Sequence, residues 1–123
     1  MTVTLPVPPS ANIYWRTTRD GRTYVSKEAR DYKELAARLA AVKGMRPIRG
    51  VDVEVHIDWF RERRVGDLDN RLKVIFDALK GVAYTDDKQI AAIDARRFDD
   101  PKNPRIVVQV QAMGSTLFEG GKR

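Results

Sequence analysis

Alternating apolar and polar residues predict the strands of this chain. The pattern is clearest from Arg49 to Phe60, where valine, isoleucine or tryptophan occupies every second position from Val51 to Trp59. Successive side chains of a strand point to opposite faces, so this alternation predicts one buried face and one wetter face. Weaker versions of the same pattern predict three further strands, Thr2–Val7, Ile90–Phe98 and Arg105–Met113. The dipeptide Asp20-Gly21 predicts a hairpin that joins residues 14–19 to residues 22–25.

Two segments carry apolar residues at spacings of three and four, which is the period of an amphipathic helix. The first runs from Lys27 to Lys43, with Ser26 as its predicted N-cap and Gly44 as its stop. Its predicted buried stripe consists of Tyr32, Leu35, Ala36, Leu39 and Val42. The second helix runs from Leu68 to Lys80 and ends at Gly81. Together the elements predict an α+β fold of two layers, a mixed β-sheet with two main helices packed on it.

The chain has 123 residues, the size of one ordinary domain. We predict a single domain over residues 1–113 and a loose tail over residues 114–123. No apolar run is long enough to span a membrane, and the first residues lack the features of a secretory leader. The chain has no cysteine, which excludes disulfides and thiolate metal sites. We therefore expect a cytoplasmic protein with no membrane partner.

Charge is distributed unevenly along the chain. The formal net charge is +6, which favours binding to a polyanion such as nucleic acid. Yet five of the seventeen acidic side chains fall between Asp67 and Asp87, and such a cluster calls for a cation. With His56 as the single histidine, a histidine-based zinc site or a Ser-His-Asp triad is improbable, and we expect His56 at the surface. Any catalytic metal would then use carboxylates, which favour Mg²⁺ or Mn²⁺.

The acidic residues can converge only under a geometric condition. Residues i and i+2 diverge by about 200° on a helix of about 3.6 residues per turn. Asp67 and Asp69 can therefore share an ion only at a junction between strand and helix. Asp86 or Asp87 would supply a third carboxylate from a separate segment. Lys73 lies one helical turn after Asp69, where its ammonium group could neutralise charge on a phosphate.

A purely structural interpretation of the same residues stays open. Asp69 could serve only as a helix cap, and the pair Asp86-Asp87 could serve only as a turn. Asp69, Lys73 and Asp77 could form a ladder of surface salt bridges. A bare Asp-x-Asp motif is common, so spacing by itself does not decide between a metal site and these roles.

Two basic segments are candidates for DNA contacts. The loop Arg61-Glu62-Arg63-Arg64 directly precedes the acidic stretch, and the segment from Asn12 to Arg16 is expected to form a loop. The predicted DNA-binding residues are Asn12, Arg16, Arg61, Arg63 and Arg64. In the alternative interpretation, the first loop is a solvated turn, and Tyr14 and Trp15 close the edge of the core.

At these residues the sequence resembles the RusA family of Holliday-junction resolvases, small endodeoxyribonucleases often encoded by prophages. The resemblance rests on three segments, Pro8-Pro9-Ser10-x-Asn12-x-Tyr14-Trp15-Arg16, Asp67-Leu68-Asp69-Asn70-x-x-Lys73-x-x-x-Asp77-Ala78-Leu79 and Asp86-Asp87-x-Gln89-Ile90. These segments lie in both halves of the chain, and the combined pattern is far more specific than any one of them.

The resemblance implies a function and a set of site residues. It assigns the Mg²⁺-binding catalytic carboxylates to Asp67, Asp69 and Asp87 and the essential lysine to Lys73. It implies an α+β homodimer that binds four-way DNA junctions and cuts two strands of like polarity, in DNA recombination and repair. Two alternatives stay open: a non-catalytic or degenerate module that binds branched DNA, and a nuclease for another branched or single-stranded substrate.

Overall fold

The computed structural model describes residues 1–62 and 68–114, without the side chains of residues 12, 13 and 69. Its strands are β1 (Thr2–Leu5), β2 (Trp15–Thr17), β3 (Thr23–Val25), β4 (Val53–Arg61), β5 (Ile90–Asp99) and β6 (Arg105–Ala112). Its helices are α1 (Ala11–Tyr14), α2 (Lys27–Val42) and α3 (Leu68–Ala78). A short 3-10 turn, Asp87–Gln89, leads into β5.

Four strands form the main sheet, in the order β1-β6-β4-β5. β4 and β5 are parallel, whereas β6 is antiparallel to both of its neighbours. Parallel strands need a crossover connection, and α3 provides it between β4 and β5. β2 and β3 form a separate hairpin whose turn uses Gly21 at φ 87°. The structure thus confirms the predicted α+β fold with a mixed sheet and two main helices.

β4 supplies the centre of the core. Val53, Val55, Ile57 and Trp59 are each at most 2% exposed, as the alternation predicted. The strand begins at Val53, later than predicted, and Val51 is 47% exposed. Gly50 explains the difference, because its φ of 72° turns the chain just before the strand can begin.

α2 packs through small residues. Its predicted cap is confirmed, since the Ala29 amide donates to Ser26 Oγ over 3.2 Å. The residues that α2 buries are Ala29, Tyr32, Ala36 and Ala40. The prediction for Val42 was wrong, because this side chain in the last turn is 85% exposed. Met45, which follows the turn at Gly44, reaches the core instead.

The segment predicted as a loop between residues 8 and 16 contains the short helix α1. Tyr14, at its end, is fully buried against Ala29 and Val74 in a second small cluster of apolar residues. For Tyr14 the core-edge interpretation was therefore correct, and α1 is tied to both longer helices. None of the described helices is long and apolar enough to cross a membrane. The predicted tail lies almost entirely outside the described residues, so the division at residue 113 stays a prediction.

Candidate active site

The start of α3 is fastened to the segment that precedes α1. The Ala11 amide donates a 2.9 Å hydrogen bond to Asn70 Oδ1, and Arg71 Nη1 donates to the Pro8 carbonyl over 2.5 Å. The Arg71 guanidinium carbon lies 5.7 Å from the centre of the Trp59 ring, and burial lowers the pKa of Arg71. Because Trp59 lies near the end of β4, α3 begins at that end of the sheet.

The second half of α3 is held by a charged hydrogen bond. The Tyr14 hydroxyl donates to Asp77 Oδ2 over 2.5 Å, and Lys33 Nζ lies 3.6 Å from the same oxygen. Burial, and then the hydrogen bond to Asp77, raises the pKa of Tyr14 above its ordinary range. The Asp77 carboxylate is only 27% exposed and joins three helices. Its role is structural, and it does not form part of the predicted Asp69–Lys73–Asp77 surface ladder.

The two acids of the Asp86-Asp87 pair have different surroundings. The Lys88 amide donates to Asp86 Oδ1 over 3.0 Å, so Asp86 caps the 3-10 turn. This hydrogen bond is the largest of the effects that lower the pKa of Asp86. Asp87 is exposed on the first residue of the turn. Asp86 is thus engaged in shaping the turn, and Asp87 is the better placed of the two to meet a ligand.

Gln89 holds this turn against the rest of the protein. Its Oε1 accepts hydrogen bonds from the Thr85 amide, the Thr85 hydroxyl and the Asp86 amide, over 2.9, 2.7 and 3.0 Å. Its Nε2 donates to the carbonyls of Ile48 and Val51 over 2.9 and 2.8 Å. Sequence reasoning gave Gln89 no role, although an acid followed three residues later by glutamine is the pattern of a capping box.

The two acidic segments lie at opposite ends of α3 within one chain. Arg71 lies beside Trp59, whereas Gln89 bonds to Val51, just before β4 begins. A strand rises about 3.3 Å per residue, so β4 covers about 20 Å between Val53 and Trp59. The backbone of Asp69, in the first turn of α3, is therefore about that far from Asp87. Ligand oxygens lie about 2 Å from Mg²⁺, so these two segments of one chain do not reach a common ion.

Several predicted site residues cannot be located. Asp67, Arg63 and Arg64 lie outside the described residues, and so do the side chains of Asn12 and Asp69. Lys73 is exposed on α3. Within residues 1–62 and 68–114, no group of three or more histidines and carboxylates could hold a metal ion. The assignment of the catalytic and metal-binding residues therefore stays a prediction.

The remaining predicted DNA contacts differ in how accessible they are. The Arg61 side chain is only 12% exposed, and its Nε donates to Asp99 over 2.6 Å, which joins the ends of β4 and β5. Arg16 is half exposed and lies 3.9 Å from Glu28. Arg16 is thus free to turn toward a phosphate at little cost, whereas Arg61 is the less available of the two. His56, exposed and 3.3 Å from Asp94, is the surface histidine that the sequence predicted.

A cleft of about 340 Å³ opens at the end of the sheet where α3 begins. Trp59, Arg61, Arg71 and Pro104 line it. Trp59 Nε1 is buried and has no hydrogen-bond partner among the described residues. The cleft therefore combines apolar walls with two cations and one indole donor, a chemistry that suits part of a nucleotide.

Fold and charge together define a small, basic α+β protein whose crossover helix carries acidic segments at both ends, a setting suited to metal-assisted chemistry on a polyanion. The family model described as Endodeoxyribonuclease RusA matches residues 6–111. The chain therefore belongs to the RusA family, and the resemblance noted in the sequence is confirmed.

Curated relatives agree with this assignment. The chain is 35% identical over 121 residues to "Crossover junction endodeoxyribonuclease rusA" of Enterobacteria phage 82, covering 92% of this chain and 95% of the relative. It is 35% identical over 115 residues to the protein of that name from Escherichia coli strain K12, with the same coverage. A relative from Shigella sonnei is 33% identical over 115 residues, again covering 92% and 95%.

Proposed function

We propose that this protein is a crossover junction endodeoxyribonuclease, which hydrolyses phosphodiester bonds in four-way DNA junctions during recombination and repair. The observation that carries this proposal is the match to RusA relatives over 92% of the chain, which includes both acidic segments. The basic charge of +6 supports binding to DNA phosphates. We further propose that the protein acts in the cytoplasm as a homodimer that depends on Mg²⁺ or Mn²⁺.

The chemistry of the available donors fits a hard cation. The chain offers no thiolate, and its single histidine pairs with Asp94, so carboxylate oxygens are the suitable ligands. Asp67, Asp69 and Asp87 would hold the ion. A bound Mg²⁺ would supply charge for activating water and for stabilising the scissile phosphate. Lys73, exposed one turn along α3 from Asp69, would neutralise charge that develops on the phosphate.

We propose that each metal site is shared between two subunits. In one chain about 20 Å of sheet separates the Asp69 backbone from Asp87. Asp67 and Asp69 of one copy would therefore act with Asp87 of the other. A dimer with two-fold symmetry then has two equal sites for the two equivalent strands of a junction.

A synthetic four-way junction tests the activity. We expect the protein to make paired, symmetric cuts with Mg²⁺ and none with a chelator. Asp69→Asn should abolish cutting and leave junction binding within about twofold, because it removes one ligand charge and not a phosphate contact. If the intact protein cuts no junction sequence with either Mg²⁺ or Mn²⁺, the proposed activity is wrong.

Mixing two inactive variants tests the shared site. Each heterodimer of Asp69→Asn with Asp87→Asn would have one site with both substitutions and one intact site. We expect each variant to be inactive by itself and the mixture to nick one strand of the junction. If the subunits exchange in the mixture and no nicking returns, each site lies within one chain. That result would leave the activity of the intact protein unaffected.

A further inference from the structure

One edge of the main sheet is long and open. β5, of ten residues, forms this edge and pairs with β4 on its inner side. None of the described residues pairs with its outer side. The opposite edge is β1, which has only four residues. Proteins usually keep edge strands short or blunted, because a long open edge invites another strand to pair with it.

Large apolar side chains are uncovered on both faces of this edge. Ile93 is 50% exposed on the core face of the sheet, where it pairs with Val55. Phe98 is 40% exposed on the other face and stacks on Phe60, with 5.1 Å between the ring centres. Each is a side chain that a neighbouring strand and its helix would cover. The exposed apolar surface therefore coincides with the unpaired backbone.

We propose that β5 pairs in antiparallel fashion with β5 of a second copy, centred on Ala95. A two-fold axis perpendicular to the sheet joins two such edges and keeps each face of the sheet continuous. Opposed residues must then lie on the same face, so the axis passes through a residue and not between residues. With Ala95 at the axis, Asp94 of each copy lies opposite Arg96 of the partner subunit.

Charge selects this register over its neighbours. An axis through Asp94, Arg96 or Arg97 would set like charges directly opposite each other. An axis through Ile93 would leave Phe98 beyond the paired segment. About Ala95, the methylene groups of Arg97 cover Ile93 of the partner subunit, and Phe98 covers the partner's Ala92.

This interface rests on the proposed function and would complete its shared site. With the axis at Ala95, Ile90 of the partner subunit lies opposite Asp100. The partner's Asp87 lies three residues earlier and therefore reaches the end of the sheet where β4 ends and α3 begins. The pairing thus brings Asp87 of the partner subunit to the same end of the sheet as Asp69.

Cysteine cross-linking tests the register, because the chain has no cysteine of its own. Opposed Cα atoms in an antiparallel pair lie about 4.5–5.5 Å apart, within the range of a disulfide. Mild oxidation should therefore link Ala95→Cys to itself in the intact dimer. Ala91→Cys is the matched control, an exposed alanine on the same face of the same strand. Its two copies would be about 26 Å apart and should not link. The proposal fails if Ala95→Cys stays unlinked in a folded dimer, or if both variants link equally.

Charge reversal provides a second test. Asp94→Arg would face Arg96 of the partner subunit at two places, and we expect the dimer dissociation constant to rise at least about tenfold. Adding Arg96→Asp to the same chain should restore most of the affinity. Sedimentation measures both, and circular dichroism checks that each variant is folded. An unchanged dissociation constant for Asp94→Arg would overturn the proposal.

Junction cleavage keeps this test separate from the proposed function. Efficient cutting by the oxidised, cross-linked Ala95→Cys dimer supports both the interface and the activity. Failure to link, together with normal cutting, overturns the interface only. Linking by a variant of a protein whose unmodified form cuts no junction supports the interface and overturns the activity.

Discussion

The Tyr14 hydroxyl donates a 2.5 Å hydrogen bond to Asp77 Oδ2, between residues 63 positions apart in the sequence. The same carboxylate lies 3.6 Å from Lys33 Nζ, so α1, α2 and α3 meet at one acid. Burial within the small cluster of Tyr14, Ala29 and Val74 shields this bond from water. The contact therefore fixes the helix that carries Asp69 and Lys73 to the N-terminal segment of the chain.

Removing this hydroxyl should destabilise the fold. Tyr14→Phe keeps the ring but leaves a largely buried carboxylate with one partner fewer, which should lower the free energy of unfolding by about 1–3 kcal/mol. Urea denaturation measures the change. Tyr24→Phe is the control, because Tyr24 is 51% exposed, and it should change stability by less than about 0.5 kcal/mol. Equal effects of the two substitutions would contradict the role given to the Tyr14–Asp77 bond.

Stability should fall at alkaline pH. Burial is the main effect that raises the pKa of Tyr14, Tyr32 and Tyr84 above the ordinary value of 10.0. The folded chain therefore keeps protons that the unfolded chain releases, so this stability is complete below about pH 10 and is lost as the pH rises further. Thermal unfolding from pH 8 to pH 11 should show a steady transition temperature that declines above about pH 10. Tyr14→Phe should decline less steeply, and a flat profile through pH 11 would contradict the expectation.

Gln89→Ala should weaken metal activation without weakening DNA binding. The substitution removes five hydrogen bonds that fix the turn before Asp87. Loss of such supporting contacts commonly costs 10–100-fold in metal affinity, so we expect roughly a tenfold higher Mg²⁺ concentration for half-maximal cleavage. Gln109→Ala, at an exposed position of β6, is the control and should behave as the unmodified protein does. A loss of junction binding with unchanged Mg²⁺ dependence would argue against this positioning role.

Asp86 and Asp87 should separate into a structural and a catalytic acid. Asp87→Asn should abolish cutting and preserve junction binding. Asp86→Asn loses the charge of the cap to the Lys88 amide, and it should lower stability by about 0.5–1 kcal/mol while retaining measurable cleavage. Cleavage and urea denaturation of both variants decide the matter. The opposite outcome, with Asp87→Asn active and Asp86→Asn inactive, would move the predicted metal ligand to Asp86.

Lys73 should matter for catalysis more than for binding. If its ammonium group stabilises charge on the scissile phosphate, Lys73→Ala should slow cleavage about 100-fold. One lost phosphate contact should weaken junction binding only slightly and uniformly across sequences. Lys80→Ala is the matched control, since Lys80 is also exposed and follows the other end of α3. Equal losses of cleavage in the two variants would indicate a general electrostatic effect and not a specific role for Lys73.

Local patterns predicted the elements well where local chemistry decides the conformation. The alternation of β4, the Ser26 cap and the Asp20-Gly21 turn were correct, because each depends on a few neighbouring residues. The helix α1 was missed, since the described contacts that hold it include Asn70 and Val74 of α3, which are distant in sequence. Val42 was assigned to the core because helical period does not show where the sheet beneath a helix ends.

The sequence by itself determined the class of chemistry and the α+β elements. Its charge, its carboxylate cluster and its lack of cysteine fix the available ligands, and its periodicity fixes which side chains seek burial. The tertiary structure alone decided the sheet order, the open edge at β5 and the separation of Asp69 from Asp87 by the length of α3. These features depend on which strands pair, and pairing is set by packing between residues far apart in the chain, which no short stretch of sequence specifies.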